Sequence, residues 1–275
     1  MKKLLTIVAF ALLQHATLQA QQVVDTALSA GSFALNNVFI CVSPDEDSTV
    51  QLAAALLQKD LLAVTGKEPA MLSAIPTQKG TAIIIGSAQG ALVRSLSREK
   101  KFRIDYLKGK WEAYTIQSIA NLTSKIPHAL IIAGSDRRGT AYGVMELSRQ
   151  LGVSPWYWWA DVPVTKKAQL FIKKNVLIND APQVKYRGIF INDEAPALSG
   201  WSREKFGGFN HKFYEKVFEL ILRLKGNYLW PAMWGNAFYD DDSLNRDMAR
   251  RYGIVIGTSH HEPLMRAHDE WRRYG

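Results

Sequence analysis

The sequence predicts an α/β fold built around a parallel sheet, because three strand-plus-helix units follow one another in its last third. The first unit opens at Tyr186 to Glu194, where Ile189, Phe190 and Ile191 read as a parallel strand covered on both faces. Asn192, Asp193 and Glu194 fall at its carboxyl end, where α/β folds place ligands because loops there lie outside the packed sheet. A helix over about 211 to 225 follows, with Phe213, Val217, Leu220, Ile221 and Leu224 on one apolar face and Gly226 and Asn227 as its stop. The second unit is a strand at Tyr228 to Trp230, a tip at Pro231 to Asn236, and a helix over about 243 to 252 closed by Gly253. The third strand, 254 to 259, ends in His260, His261 and Glu262.

At the other end, residues 1–20 pair two lysines with an apolar run from Leu4 to Leu13 and a small residue at Ala20, the pattern of a secretory signal peptide. That run is half of the ~20 residues a membrane-spanning helix needs, so export to the periplasm or exterior is expected rather than stable membrane insertion. The single cysteine, Cys41, forms no internal disulfide and falls inside a predicted strand.

Residues 21–182 read as an N-terminal α/β domain and 183–275 as the start of a second one. In the first, Val38 to Val42 is a strand. Pro44 to Ser48 supplies turn and cap residues for a helix over about 49 to 64, closed by Gly66. Thr81 to Gly86 and Ala129 to Gly134 are buried strands, 91 to 96 is a short helix, and Trp111 to Ile119 alternates as a half-exposed strand does. Ser135 to Thr140 is a tight connection into a helix over 141 to 151; its spacing matches neither a dinucleotide fingerprint nor a phosphate loop, so no cofactor is expected. Trp156 to Trp159 reads as an aromatic wedge between two bodies in preference to a sugar-stacking platform. Gln169 to Ile178 is strand-like.

Apolar residues make up 47% of the chain, ample for a core, and the net charge of +9 becomes +7 once Lys2 and Lys3 are removed. The basic residues are scattered rather than gathered into one tract, so they read as solvated faces and no nucleic-acid partner is expected. His261 has Met265 four positions on, and Pro263 interrupts any helix there, so no metal site is expected either.

Four runs carry a resemblance: Ile132 to Gly143, Gly152 to Pro163, Tyr186 to Glu194 and Leu229 to Gly235. Together they resemble glycoside hydrolase family 115, the xylan α-1,2-glucuronidases, which remove glucuronic acid or its 4-O-methyl ether from xylan side chains with inversion. The resemblance implies a small α/β N-terminal domain followed by a (β/α)8 TIM barrel. It implies glucuronoxylan as substrate and allows a homodimer in the full-length form. A barrel needs about 200 residues, and residues 186–275 would supply only its first three units. The expectation is therefore a truncated barrel, probed as a fragment that by itself turns over no substrate and exposes strand edges that favour aggregation.

Inversion takes two carboxyl groups about 6.5 to 9.5 Å apart, one protonating the leaving oxygen and one activating water. The resemblance makes Asp193 one of them, or a group touching the sugar; a cap or loop hydrogen bond is its structural alternative. Asn192 would bond a sugar hydroxyl, Asn236 would be a further polar contact, and Glu194 would find a structural partner on the opposite side of the strand. Trp234 either packs a sugar face or belongs to the core, and both readings stay open. One of His260 and His261 would donate to a hydroxyl or to the uronate. The second carboxylate and a uronate-binding arginine would come from later strands. The competing reading is a non-catalytic carbohydrate-binding remnant.

Overall fold

The computed structural model describes residues 22–25, 27–258 and 267–275. The expected signal peptide and both His260 and His261 lie outside the described residues.

Two short strands come first, β1 (Val24–Asp25) and β2 (Ser32–Ala34), and then β3 (Val38–Val42). The first helix, α1 (Ser48–Thr65), starts where the Asp47 carboxylate accepts from the Thr49 N–H at 2.8 Å and stops at Gly66, whose φ of 72° lies in the left-handed region. Next come β4 (Ala70–Leu72), β5 (Thr81–Ser87), α2 (Ala91–Arg98), β6 (Tyr114–Ala120) and β7 (His128–Gly134). The following helix, α3 (Arg137–Leu151), begins four residues earlier than its apolar pattern suggests. Asp136 caps it by accepting from Gly139 N–H at 2.9 Å, and a β-carbon on Gly139 would overlap the Ala113 backbone, so the helix start packs where any larger residue would be excluded.

A six-stranded sheet in the order β4-β3-β5-β7-β6 and then β9 (Leu177–Asp180) is parallel through β7 and antiparallel at β6 and β9. In β5, Ile83 and Ile85 face the core under α1 and α3, while Ala82 and Ile84 face the one under α2. Coverage on both faces is why β5 and β7 read as unbroken apolar runs. The expected single strand over 169–178 is in fact two. Asn175, at a φ of 57°, turns the chain between β8 (Phe171–Lys173), which pairs with β1 and β2, and β9. Cys41 is buried in β3, and burial pushes its thiol up to about 12, which leaves it unreactive at neutral pH.

The last part begins with β10 (Gly188–Phe190), followed by α4 (Ala197–Phe206), which the apolar pattern does not announce, and α5 (His211–Arg223). Then come β11 (Tyr228–Trp230), the short α6 (Phe238–Asp241), α7 (Leu244–Tyr252), β12 (Val255–Ile256) and α8 (His268–Tyr274). β10, β11 and β12 form a parallel sheet in that order. Ile189 and Phe190 correct the expectation of a doubly covered strand: each is 40% exposed, because β10 is an edge strand with β11 as its sole sheet partner among the described residues.

One core joins these parts, running through Leu57 and Leu61 of α1, Tyr142 and Leu147 of α3, Phe218 and Leu222 of α5 and Tyr252 of α7. Trp158 and Trp159 meet edge-on at 4.9 Å, and Trp159 packs on Trp201 of α4 and Phe213 of α5. The Trp159 indole also donates to the Lys216 carbonyl at 3.1 Å. The aromatic run after α3 thus wedges against α4 and α5, burying large rings where three segments meet.

Candidate functional site

Parallel register sets where the strand tips fall. Phe190 pairs with Trp230 and Leu229 with Ile256, so the residues that follow β10, β11 and β12 emerge from one edge of the sheet. Asn192 and Asp193 leave the first tip, Ala232 to Asn236 the second, and Gly257 and Thr258 the third.

Asp193 is 2% exposed and joins the first two tips. Its Oδ2 accepts from the Trp234 backbone N–H at 2.9 Å and from the Asn236 side-chain amide at 2.9 Å. The same amide donates to the Trp234 carbonyl at 2.8 Å, and Gly235, at a φ of 72°, closes the turn. Asp193 Oδ1 is buried with no hydrogen-bond partner among the described residues. A buried carboxylate oxygen left unmatched costs free energy. An oxygen so placed can accept a hydrogen bond from a hydroxyl.

Burial alternates along this segment: Ile191 and Asp193 are buried, while Asn192 and Glu194 are exposed. Asp193 therefore shares the side of Ile191, which belongs to the core with Phe213 and Tyr214 of α5. The Tyr214 hydroxyl accepts from Ala232 N–H at 3.3 Å, and burial, reinforced by the Asp193 charge, pushes it above the usual phenol range. Glu194 is exposed, at variance with the structural partner expected for it. Trp234 is 56% exposed, so its ring is not a core element.

The other face of the sheet carries rings that sequence reasoning did not single out. Phe190 meets Trp230 edge-on at 5.9 Å, Tyr186 meets Tyr228 at 5.6 Å, and the Trp230 indole donates to the Tyr228 hydroxyl at 3.3 Å. A β-carbon on Gly257 would overlap that hydroxyl, so glycine there makes room for the ring. Period-two spacing of Tyr186, Phe190, Tyr228 and Trp230 was the available signal. The structure thus brings Asp193, Trp234 and Asn236 together, sets exposed Asn192 beside them in sequence, and does not describe His260 or His261. Among the described residues, no three His, Cys, Asp or Glu side chains cluster as metal ligands would, and no helix is long and apolar enough to cross a membrane.

Residues 179–275 match the model of Glycosyl hydrolase family 115. Over 85% of this chain, the backbone is similar to a solved family 115 4-O-methyl-alpha-glucuronidase with specificity for decorated arabinogalactans, at 35% identity and a TM-score of 0.72. The chain spans 30% of that protein's length. A Streptomyces plicatus N-acetyl-beta-hexosaminidase aligns over 87% of this chain and 44% of its own at 14% identity and a TM-score of 0.52. The family 20 beta-N-acetylhexosaminidase of Streptomyces coelicolor A3(2) covers the same shares at 12% and 0.51, and these two likenesses show the fold alone. No curated protein matches the sequence. By the family match and by the 35% identity carried on a common backbone, residues 179–275 belong to glycosyl hydrolase family 115.

Proposed function

We propose that the chain is the N-terminal part of an exported, inverting α-1,2-glucuronidase that removes glucuronic acid or its 4-O-methyl ether from xylan side chains. In this reading residues 21–182 form the accessory α/β domain, and β10, β11 and β12 with their helices are the first three units of a (β/α)8 barrel. The observation that carries it is Asp193: a buried carboxylate that ties two strand tips together through one oxygen and whose other oxygen has no partner among the described residues.

Asp193 is the candidate carboxyl of the inverting pair or its direct neighbour on the sugar. Its free oxygen would accept from, or protonate, an oxygen of the substrate. Asn236 holds the carboxylate and the Trp234 turn in place, and the exposed Trp234 ring packs an apolar sugar face. Asn192 bonds a sugar hydroxyl, and one of His260 and His261 does so or meets the uronate. The partner carboxyl and an arginine forking the uronate would come from later barrel strands.

A second reading, carbohydrate binding without turnover, is favoured by the exposed rings of Tyr186 and Phe190. Assaying uronic acid release from glucuronoxylan, with the full-length protein beside the 275-residue chain, separates the two. Release by the full-length protein is expected; a full-length protein that binds aldouronic acids and releases nothing would leave the second reading.

A further inference from the structure

Away from the barrel tips, a cleft of about 370 Å³ opens at the carboxyl edge of the six-stranded sheet, beside Ala88 after β5 and Ser135 after β7. Ligands of α/β folds sit at this edge. Every charged residue lining the cleft is cationic: Arg94 and Arg98 of α2, and Lys108 and Lys110 of the loop before β6. Val93 and Leu96, both buried, fix α2 against the sheet, and Arg94 and Arg98 stand one turn apart on its exposed side. Among the described residues neither guanidinium has a hydrogen-bond or ion-pair partner. Lys108 is already matched by Asp105 at 3.0 Å, and the Lys110 ammonium lies 3.3 Å from the Tyr106 ring centre. The floor is apolar, made by Ile104 and Leu107, and Trp111, 41% exposed, follows Lys110 directly.

Two unmatched forks over an apolar floor suit a ligand that is flat, hydroxylated and carboxylated. A guanidinium meets a carboxylate with two parallel hydrogen bonds, and apolar side chains cover the C–H face of a sugar ring. We infer that this cleft is a second, non-catalytic binding site for a uronate-bearing oligosaccharide, with Arg94 and Arg98 as its carboxylate-binding residues. The choice of a sugar acid rests on the function proposed above; the cationic cleft does not. Such a site would hold the protein on an acidic polysaccharide while the strand tips engage a separate side chain.

Calorimetric titration of the 275-residue chain tests it, using an aldouronic acid, the neutral xylo-oligosaccharide of equal length and inorganic phosphate. Arg94→Gln/Arg98→Gln is compared with Trp234→Ala, all three side chains being exposed so that the fold is kept. The expected result is aldouronic acid binding that weakens about ten- to hundredfold in the arginine double variant, persists in Trp234→Ala and is absent for the neutral sugar. Loss in Trp234→Ala but not in the double variant would overturn the second site and leave the proposed function standing. Phosphate binding as tightly as the aldouronic acid would overturn the sugar assignment, and no binding of any probe would overturn the site. Uronic acid release by the full-length protein, measured separately, reports on the proposed function whatever the titrations show.

Discussion

The Arg223 guanidinium of α5 grips the Asp60 carboxylate of α1 with two bonds, Nη1 to Oδ2 at 2.9 Å and Nη2 to Oδ1 at 3.0 Å, and both residues are buried. Ser148 of α3 accepts from the same guanidinium at 3.1 Å and Glu219 at 2.8 Å, so three helices share one cation. The contact ties α5, which precedes β11, to the two helices packed on the first sheet.

Breaking this pair is expected to cost more than it contributes. Arg223→Met leaves the Asp60 and Glu219 carboxylates buried without their cation, for a loss of about 3 to 5 kcal/mol, whereas Arg223→Met with Asp60→Leu recovers the part that is due to Asp60. Denaturant melts of the three proteins check this; a double variant no more stable than the single one would show that the pair is not the source of the loss.

Glu112 is a second hub, 4% exposed, receiving Arg187 Nη2 at 2.6 Å, Arg138 Nη1 at 3.2 Å and Asn227 Nδ2 at 2.8 Å. Glu112→Gln keeps the shape and removes the charge facing two half-buried arginines. A fall of about 2 to 3 kcal/mol in unfolding free energy is expected, nearly independent of salt because the groups are shielded from solvent. Melts at low and high ionic strength read it; a loss erased by salt would place these charges at the surface.

Glu146 links stability to acid. Burial works against its ionisation, but hydrogen bonds from Arg149 at 2.7 Å and Gln150 at 2.8 Å, with Lys225 at 3.0 Å, outweigh that and hold it at about 2 against an ordinary 4.5. A carboxyl depressed in the folded state stabilises fully above pH 4.5, and that contribution disappears as pH falls towards 2. At most about 3 kcal/mol is at stake. Glu146→Gln should flatten the loss between those two pH values, and equal acid sensitivity in variant and parent would contradict the assignment.

How far the sequence could be read depended on whether neighbours were local. β5 and β7 announce themselves because coverage on both faces demands unbroken apolar runs, and Asp47 and Gly66 mark both ends of α1 through cap chemistry alone. The same apolar signal misleads at Ile189 and Phe190, since it reports what a strand can bury and not whether anything covers it. α4 is silent because it has no side-chain cap, and among the partner rings of Trp201 and Phe206 is Trp158, more than 40 positions away. The meeting of Asp193 with the 234–236 turn follows from strand order. That Asp193 Oδ1 has no partner among the described residues does not, because it depends on every atom around it.

The role of Asp193 can be divided between scaffold and chemistry by two substitutions. Asp193→Ala deprives the Trp234 N–H and the Asn236 amide of their acceptor, and about 2 to 4 kcal/mol of stability should go with them. Asp193→Asn retains an oxygen able to accept from both, so its melt should lie within about 1 kcal/mol of the parent. If the unmatched oxygen exchanges a proton with the substrate, Asp193→Asn should still lower uronic acid release by the full-length protein about a hundredfold or more. The bound sugar would be held as before, so the loss should fall on kcat rather than KM. A folded Asp193→Asn protein that releases uronic acid at the parental rate would reduce Asp193 to a clasp between two strand tips and send the search for the catalytic carboxyl to other strands.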